Sequence, residues 1–301
     1  MKTTMHQIFS FKKNNVISFT IAGIIILLLS VHTVAAEEDY IKLGNAYKDK
    51  GKYDKAIKNY EKAFAAKQKN TDVDKIELAS ICSDIAGLYN LNEKYDKAIE
   101  YYEKALEIKM AKLGKNHIEV ALICKNIGSV YHNKEDYKKA VEYYEISLAA
   151  NLKNYGANDT NVAELCSKIG LAYLNMEEFD RAIEYFEKAL VIEVNALGKE
   201  HPDVAELCNN MAIAYQKKGS PAKAIDFYEK SLKIYLKTIR IEHPIVAEGC
   251  YNLANLYFDS NEMELAVKYM EISLYLYTQI YSEEHPSARK ARELLVEWLG
   301  K

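Results

Sequence analysis

The sequence predicts an all-α solenoid of six helix-turn-helix units followed by a C-terminal capping helix. Three observations carry that expectation. Landmark residues recur every 42 positions, the landmarks fall on helical stripes, and turn formers are scarce. Ala-Ile or Ala-Val begins at Ala56, Ala98, Ala140, Ala182, Ala224 and Ala266, and Tyr47, Tyr89, Tyr131, Tyr173, Tyr215 and Tyr257 keep the same step. So do Cys82, Cys124, Cys166, Cys208 and Cys250, which are all the cysteines of the chain. A fixed period in the range of about 20–50 residues marks stacked repeats. Only 12 Gly and 4 Pro occur in 301 residues, too few for the many tight turns of a β-sandwich or barrel.

Ahead of the repeats, Lys2, Lys12 and Lys13 precede a stretch from Val16 to Ala36 that holds no Asp, Glu, Lys or Arg. Its densest part is Ile24–Leu29, small residues follow at Ala35 and Ala36, and Glu37, Glu38 and Asp39 come next. Basic, apolar and small-residue regions in that order make a signal peptide cleaved after Ala35 or Ala36. Residues 16–36 are equally long enough to remain as a membrane anchor. Both readings put the rest of the chain across the membrane, because the basic flank stays inside. Residues 1–36 are therefore expected to export the repeats, leaving them secreted, periplasmic or lumenal, or tethered with the repeats outside.

Each repeat holds two helical signatures. The first sets Cys, an apolar residue, a small residue and Tyr at i, i+3, i+4 and i+7, as in Cys124, Ile127, Gly128 and Tyr131, or Cys166, Ile169, Gly170 and Tyr173. The second runs Ala140, Tyr144, Ser147 and Leu148, or Ala182, Phe186, Ala189 and Leu190. Breaks such as Asn133–Asp136 and Lys218–Pro221 separate the two, and Pro221 is placed to open the second helix. Small residues let the paired helices approach while Tyr and Leu fill the surrounding space. The apolar surface left on each pair can be covered only by the next pair. After residues 37–285, the segment 286–301 begins a further first helix, with Ala288, Ala291, Leu294, Leu295 and Trp298 between Arg289, Lys290, Arg292, Glu293 and Glu297. A polar outer face suits a terminal cap.

These residues resemble the tetratricopeptide repeat family, whose consensus the first repeat matches at Tyr40, Leu43, Gly44, Tyr47, Ala56, Tyr60 and Ala63. The 42-residue period and linkers such as Leu197–Ala205 and Glu242–Ala247 resemble the long-helix variety found in kinesin light chains. The resemblance implies a right-handed superhelix with a concave groove for partner peptides. Two features depart from it. An export segment stands where kinesin light chains carry a coiled coil, which speaks against a cargo adaptor of that kind. The linker also degrades at Asn158–Thr160, and Arg240 replaces a linker Gly.

Little in the sequence suggests catalysis. Metal-bound or disulfide-bonded sulfurs must converge, whereas equivalent helices of successive repeats lie about 8–10 Å apart. The cysteines therefore read as small buried hydrophobes, with Tyr40 in their place in the first repeat. His117, His201, His243 and His285 share one linker position, where Asp159 substitutes once, and read as helix-start residues. His132 stands alone and is expected to be exposed. No phosphate-binding glycine loop, H-E-x-x-H or G-x-S-x-G is present. The formal charge of −3 argues against nucleic-acid binding. No enzyme activity, metal or cofactor is expected.

What remains is a second stripe on each first helix, opposite the core stripe. The resemblance places those positions along the concave groove. They include Lys125 and Asn126, Glu164 and Lys168, Glu206, Asn209 and Asn210, then Glu248, Tyr251, Asn252 and Asn255. Asn126, Asn210 and Asn252 match the groove asparagines of the family, and a side-chain amide both donates to and accepts from a peptide backbone. Glu164, Glu206 and Glu248 make an acidic row suited to a basic partner segment. The expected function is a non-catalytic scaffold that binds a protein or peptide segment in this groove. The alternative is a self-assembling solenoid subunit of a larger envelope or membrane complex.

Overall fold

The computed structural model describes residues 38–68, 75–239 and 241–300, so the expected export segment and Arg240 lie outside the described residues. Among the described residues there are thirteen α-helices and no strand. They fall into two compact units, divided between Lys134 and Glu135. The first holds α1 (38–48), α2 (Tyr53–Gln68), α3 (Lys75–Leu91), α4 (Tyr95–Leu113) and α5 (Ile118–Asn133). The second holds α6 (Tyr137–Tyr155), α7 (Thr160–Asn175), α8 (Phe179–Leu197), α9 (Pro202–Lys217), α10 (Pro221–Thr238), α11 (Pro244–Asp259), α12 (Met263–Ile280) and α13 (Pro286–Leu299).

Inside each unit consecutive helices pack on one another. First helices also touch their counterparts one repeat on, α3 against α5 and α7 against α9. Apart from those contacts the packing is local, as a repeat array requires. The 42-residue landmarks explain why. Ala56, Ala98, Ala140, Ala182, Ala224 and Ala266 are all fully buried, and a small side chain there lets packed helices approach closely. Gly44 works the same way, because a Cβ there would lie 2.9 Å from the ring of Tyr60. All five cysteines are buried and unbridged.

The excess of tyrosine is also structural. In four repeats the Tyr that ends the first-helix stripe lies against an aromatic residue twelve positions later, in the second helix of the same repeat. Ring centroids are 5.6 Å apart for Tyr89 and Tyr101, 5.7 Å for Tyr173 and Tyr185, and 5.6 Å for Tyr257 and Tyr269. Phe227 takes the second place at 5.5 Å from Tyr215. A cation caps the other side, with Lys97 over Tyr89, Arg181 over Tyr173 and Lys223 over Tyr215. The hydroxyls of Tyr89 and Tyr257 each donate to a glutamate of the preceding repeat, Glu61 at 3.0 Å and Glu229 at 2.7 Å.

Helix starts follow the expected chemistry. His117, His201, His243 and His285 are N-caps whose Nδ1 accepts the backbone N–H two residues on, at 3.2 to 3.3 Å. Asp159 does the same with its carboxylate at 2.9 Å. Pro202, Pro221, Pro244 and Pro286 each open a helix, where the missing N–H costs nothing. One feature of the turns is not evident in the residue pattern. The turn inside each repeat passes through left-handed backbone at a fixed position, held by Gly51, Glu93, Glu135, Glu177, Gly219 and Asn261. Glycine suits that conformation, and glutamate adopts it under strain.

His132 is half-buried, against the expectation of exposure, because it lies in the last turn of α5 next to the buried Tyr131. The final helix buries Ala288, Ala291 and Trp298, with the Trp298 ring stacked 4.5 Å from Phe258. Its outer face is less polar than expected, as Val296 and Leu299 are both exposed.

Candidate functional site

The second stripe of the first helices is mostly half-buried, since its residues lie along the flanks of neighbouring helices. In the first unit it carries Lys125 and Asn126 on α5, both half-buried. In the second unit some of the stripe residues line two clefts.

The first cleft, of about 440 Å³, lies among α7, α8 and α9. It gathers Glu164 and Lys168 from α7 and Glu206 from α9, with Ser167 and Leu171 of the same stripe. Glu164 and Lys168 face each other one turn apart at 3.8 Å. Two further acidic residues complete the lining, Asp203 at the start of α9 and Glu193 from the last turns of α8.

The second cleft, of about 390 Å³, lies among α11, α12 and α13. It gathers Glu248, Tyr251 and Asn252 with Tyr277, Tyr281, His285 and Lys290. Its wall is a run of rings, as Tyr281 stacks 4.1 Å from His285 and lies 6.5 Å from Tyr277. Lys290, delivered by the final helix, sits 5.5 Å over the ring of Tyr251.

The predicted asparagines divide by environment. Asn252 lines the second cleft. Asn255 donates to the carbonyl of Tyr251 at 2.7 Å, which commits one of its N–H groups to its own helix. Asn209 is half-buried, while Asn210 is only 8% exposed and belongs more to the packing than to a surface. Neither Asn209 nor Asn210 is among the residues lining the two clefts.

Two groups of cleft residues escape the stripe rule. Glu193, Tyr277 and Asp203 come from the end of a second helix or the first turn of the next. Tyr281, His285 and Lys290 come from the final linker and helix. The repeat register held the signal for Glu193 and Tyr277, because positions 67, 109, 151, 193, 235 and 277 are equivalent and their residue type changes from Lys to Asn, Glu and Tyr.

The cleft chemistry is that of holding, by carboxylates, amides and aromatic faces. The thiols lie apart from it. Burial pushes Cys82, Cys124, Cys208 and Cys250 up to about 11 and shifts Cys166 in the same direction, which suppresses the reactive thiolate. Among the described residues no group of acidic, His or Cys side chains is arranged to hold a metal ion.

The sequence profile of the tetratricopeptide repeat matches residues 39–111, 77–153, 117–190 and 159–237, and a second profile of that repeat matches 246–287. Among solved structures, the fold is similar to BtubC (BKLC) from P. vanneervenii, with TM-score 0.61 and 26% identity over 69% of this chain and 83% of the other. It is also similar to a putative kinesin light chain with nearly identical TPR-like repeats from Podosopora anserina, with TM-score 0.60 and 21% identity over 69% and 98% of the two chains. Pseudomonas aeruginosa PilF gives TM-score 0.56 and 19% identity over 87% and 99%. At these last two identities the likeness speaks for the fold alone. No protein with curated function matches the sequence.

Proposed function

The chain belongs to the tetratricopeptide repeat family, and on that premise we propose that it is a scaffold holding a peptide or protein segment along the second stripe of its first helices. Proteins of this family are generally non-catalytic and typically bind protein partners. The observation that carries the proposal is the pair of clefts in the second unit, each built on stripe residues that the repeat register singles out. Glu164, Lys168 and Glu206 meet in one, and Glu248, Tyr251 and Asn252 in the other. An extended segment can bond its backbone to the Asn252 amide and stack an apolar side chain on the aromatic wall. The acidic row favours a segment that carries basic residues.

The proposed setting is outside the cytoplasm, either free after cleavage at Ala35 or Ala36 or tethered through residues 16–36. Among the described residues no helix is long and apolar enough to cross a membrane.

Affinity capture of the mature protein from its native compartment tests both parts, with N-terminal sequencing of the recovered bait to locate cleavage. Reversing the row with Glu164→Lys, Glu206→Lys and Glu248→Lys is expected to release the captured partner while the melting temperature and sedimentation mass stay unchanged. Capture that survives the triple reversal would refute the groove as the binding surface. A fall in mass on reversal would instead favour self-assembly.

A further inference from the structure

Glu193 is only 8% exposed, lines the α7–α8–α9 cleft, and has a side-chain oxygen, Oε2, that accepts no hydrogen bond among the described residues. A buried carboxylate oxygen without a donor is costly and persists where something else supplies the donor. The repeat itself shows what the donor would be. At the equivalent position of the second repeat, Lys109 is buried and its Nζ lies 2.7 Å from Glu119 on the next first helix. In the first repeat Lys67 meets Glu77 at 2.5 Å in the same way. Moving 84 residues on from Lys109 and Glu119 gives Glu193 and Asp203, two acidic groups in place of a cation and an anion. Burial and the negative charge of Asp203 push the Glu193 carboxyl upward, and His201 opposes them.

We propose that this cleft receives a lysine or arginine side chain of the partner segment, whose charged head bonds Glu193 and Asp203 as Lys109 bonds Glu119. Ala163, Leu171 and Leu207 line the same cleft and offer apolar surface to the methylene stem, as long cationic side chains require. Lys168, the cleft's own lysine, is directed to Glu164. A metal ion is a poorer fit, since these carboxylates do not converge as metal ligands among the described residues. The inference rests on the groove reading and adds to it a single specificity position.

Fluorescein-labelled (Gly-Ser-Lys)4 peptide, and the same peptide with norleucine or glutamate for lysine, can be titrated against the full chain by anisotropy. The lysine peptide is expected to bind, and the other two to bind at least tenfold more weakly. Glu193→Gln keeps the shape and should weaken the lysine peptide roughly tenfold. Glu193→Lys should abolish its binding and raise the melting temperature, because the new lysine would pair with Asp203 as Lys109 does with Glu119. No binding of the lysine peptide, or equal binding to wild type and Glu193→Gln, overturns the proposal. So does a Glu193→Lys variant that folds yet binds as well as wild type. These failures are separable from failure of the groove reading, which is decided by whether the natural partner is lost on reversal of Glu164, Glu206 and Glu248 with Glu193 intact.

Discussion

Gly170 faces Phe186 so closely that a Cβ on the glycine would lie 2.6 Å from the ring. Phe186 is fully buried and cannot swing away. The contact joins the first and second helices of the fourth repeat at their crossing, and the equivalent positions one repeat later are held by Ala212 and Tyr228, both buried.

Gly170→Ala sets two effects against each other. Alanine favours a helix interior by about 1 kcal/mol over glycine. Overpacking a fixed core costs about 1–3 kcal/mol, and a 2.6 Å approach lies well inside contact distance. The clash wins, so thermal melting followed by circular dichroism should show a net loss of about 1 kcal/mol. A melting temperature at or above wild type would show that the hairpin opens freely.

The left-handed turn position gives the opposite prediction. Glu177 has φ of 61°, and Gly219 holds the equivalent place with open space around it. Replacing Glu177 with Gly relieves backbone strain of about 1 kcal/mol, against a smaller loss of chain entropy. Urea unfolding should shift to a higher midpoint by an equivalent of about 0.5–1 kcal/mol. Glu177→Ala keeps the strain and should give no such gain.

The histidine caps can be tested at His201, whose Nδ1 accepts from Asp203 N–H. His201→Ala should destabilise by about 1 kcal/mol, and His201→Asp, which copies Asp159, should retain most of the cap. Equal losses from both changes would mean that the imidazole matters for something other than capping.

Alkaline conditions should loosen the fold. Burial pushes Tyr60, Tyr102, Tyr235 and Tyr277 up to about 12, alongside the raised thiols. In the unfolded chain thiols ionise near about 8.5 and phenols near about 10, whereas the folded chain keeps both protonated to higher pH. The stabilisation is therefore complete below about pH 8.5 and is lost as pH rises through the folded values. The urea midpoint should fall progressively from pH 8 to pH 11, and a flat profile would contradict it. By the same burial, a thiol reagent at pH 8 should modify five cysteines only after denaturation.

The fold was legible because every repeat states it again. A single i, i+3, i+4, i+7 stripe is weak evidence, but Cys124 to Tyr131 and Cys166 to Tyr173 in one register leave little freedom. The candidate site was legible only in part. Glu164, Glu206 and Glu248 follow from the sequence as a row because each takes the same place on the face of its own helix, a local relation repeated by the register. Glu193 and Tyr277 stand out in the register only by their change of residue type, because they reach the clefts from a different helix, and burial of Asn210 depends on what its neighbours place over it.

The sequence by itself determined the helix pairs, their caps, the cysteine and tyrosine packing and the membership of a repeat family. Local spacing governs helix faces, and an array of nearest-neighbour contacts needs little else. Tertiary structure decided which polar residues are satisfied and which are not. Lys109 and Glu193 occupy the same place in the register, yet the next helix gives one a carboxylate at 2.7 Å and leaves the other with an oxygen that accepts no hydrogen bond among the described residues. That difference depends on what lies across the helix-to-helix interface, where residues far apart in the chain meet.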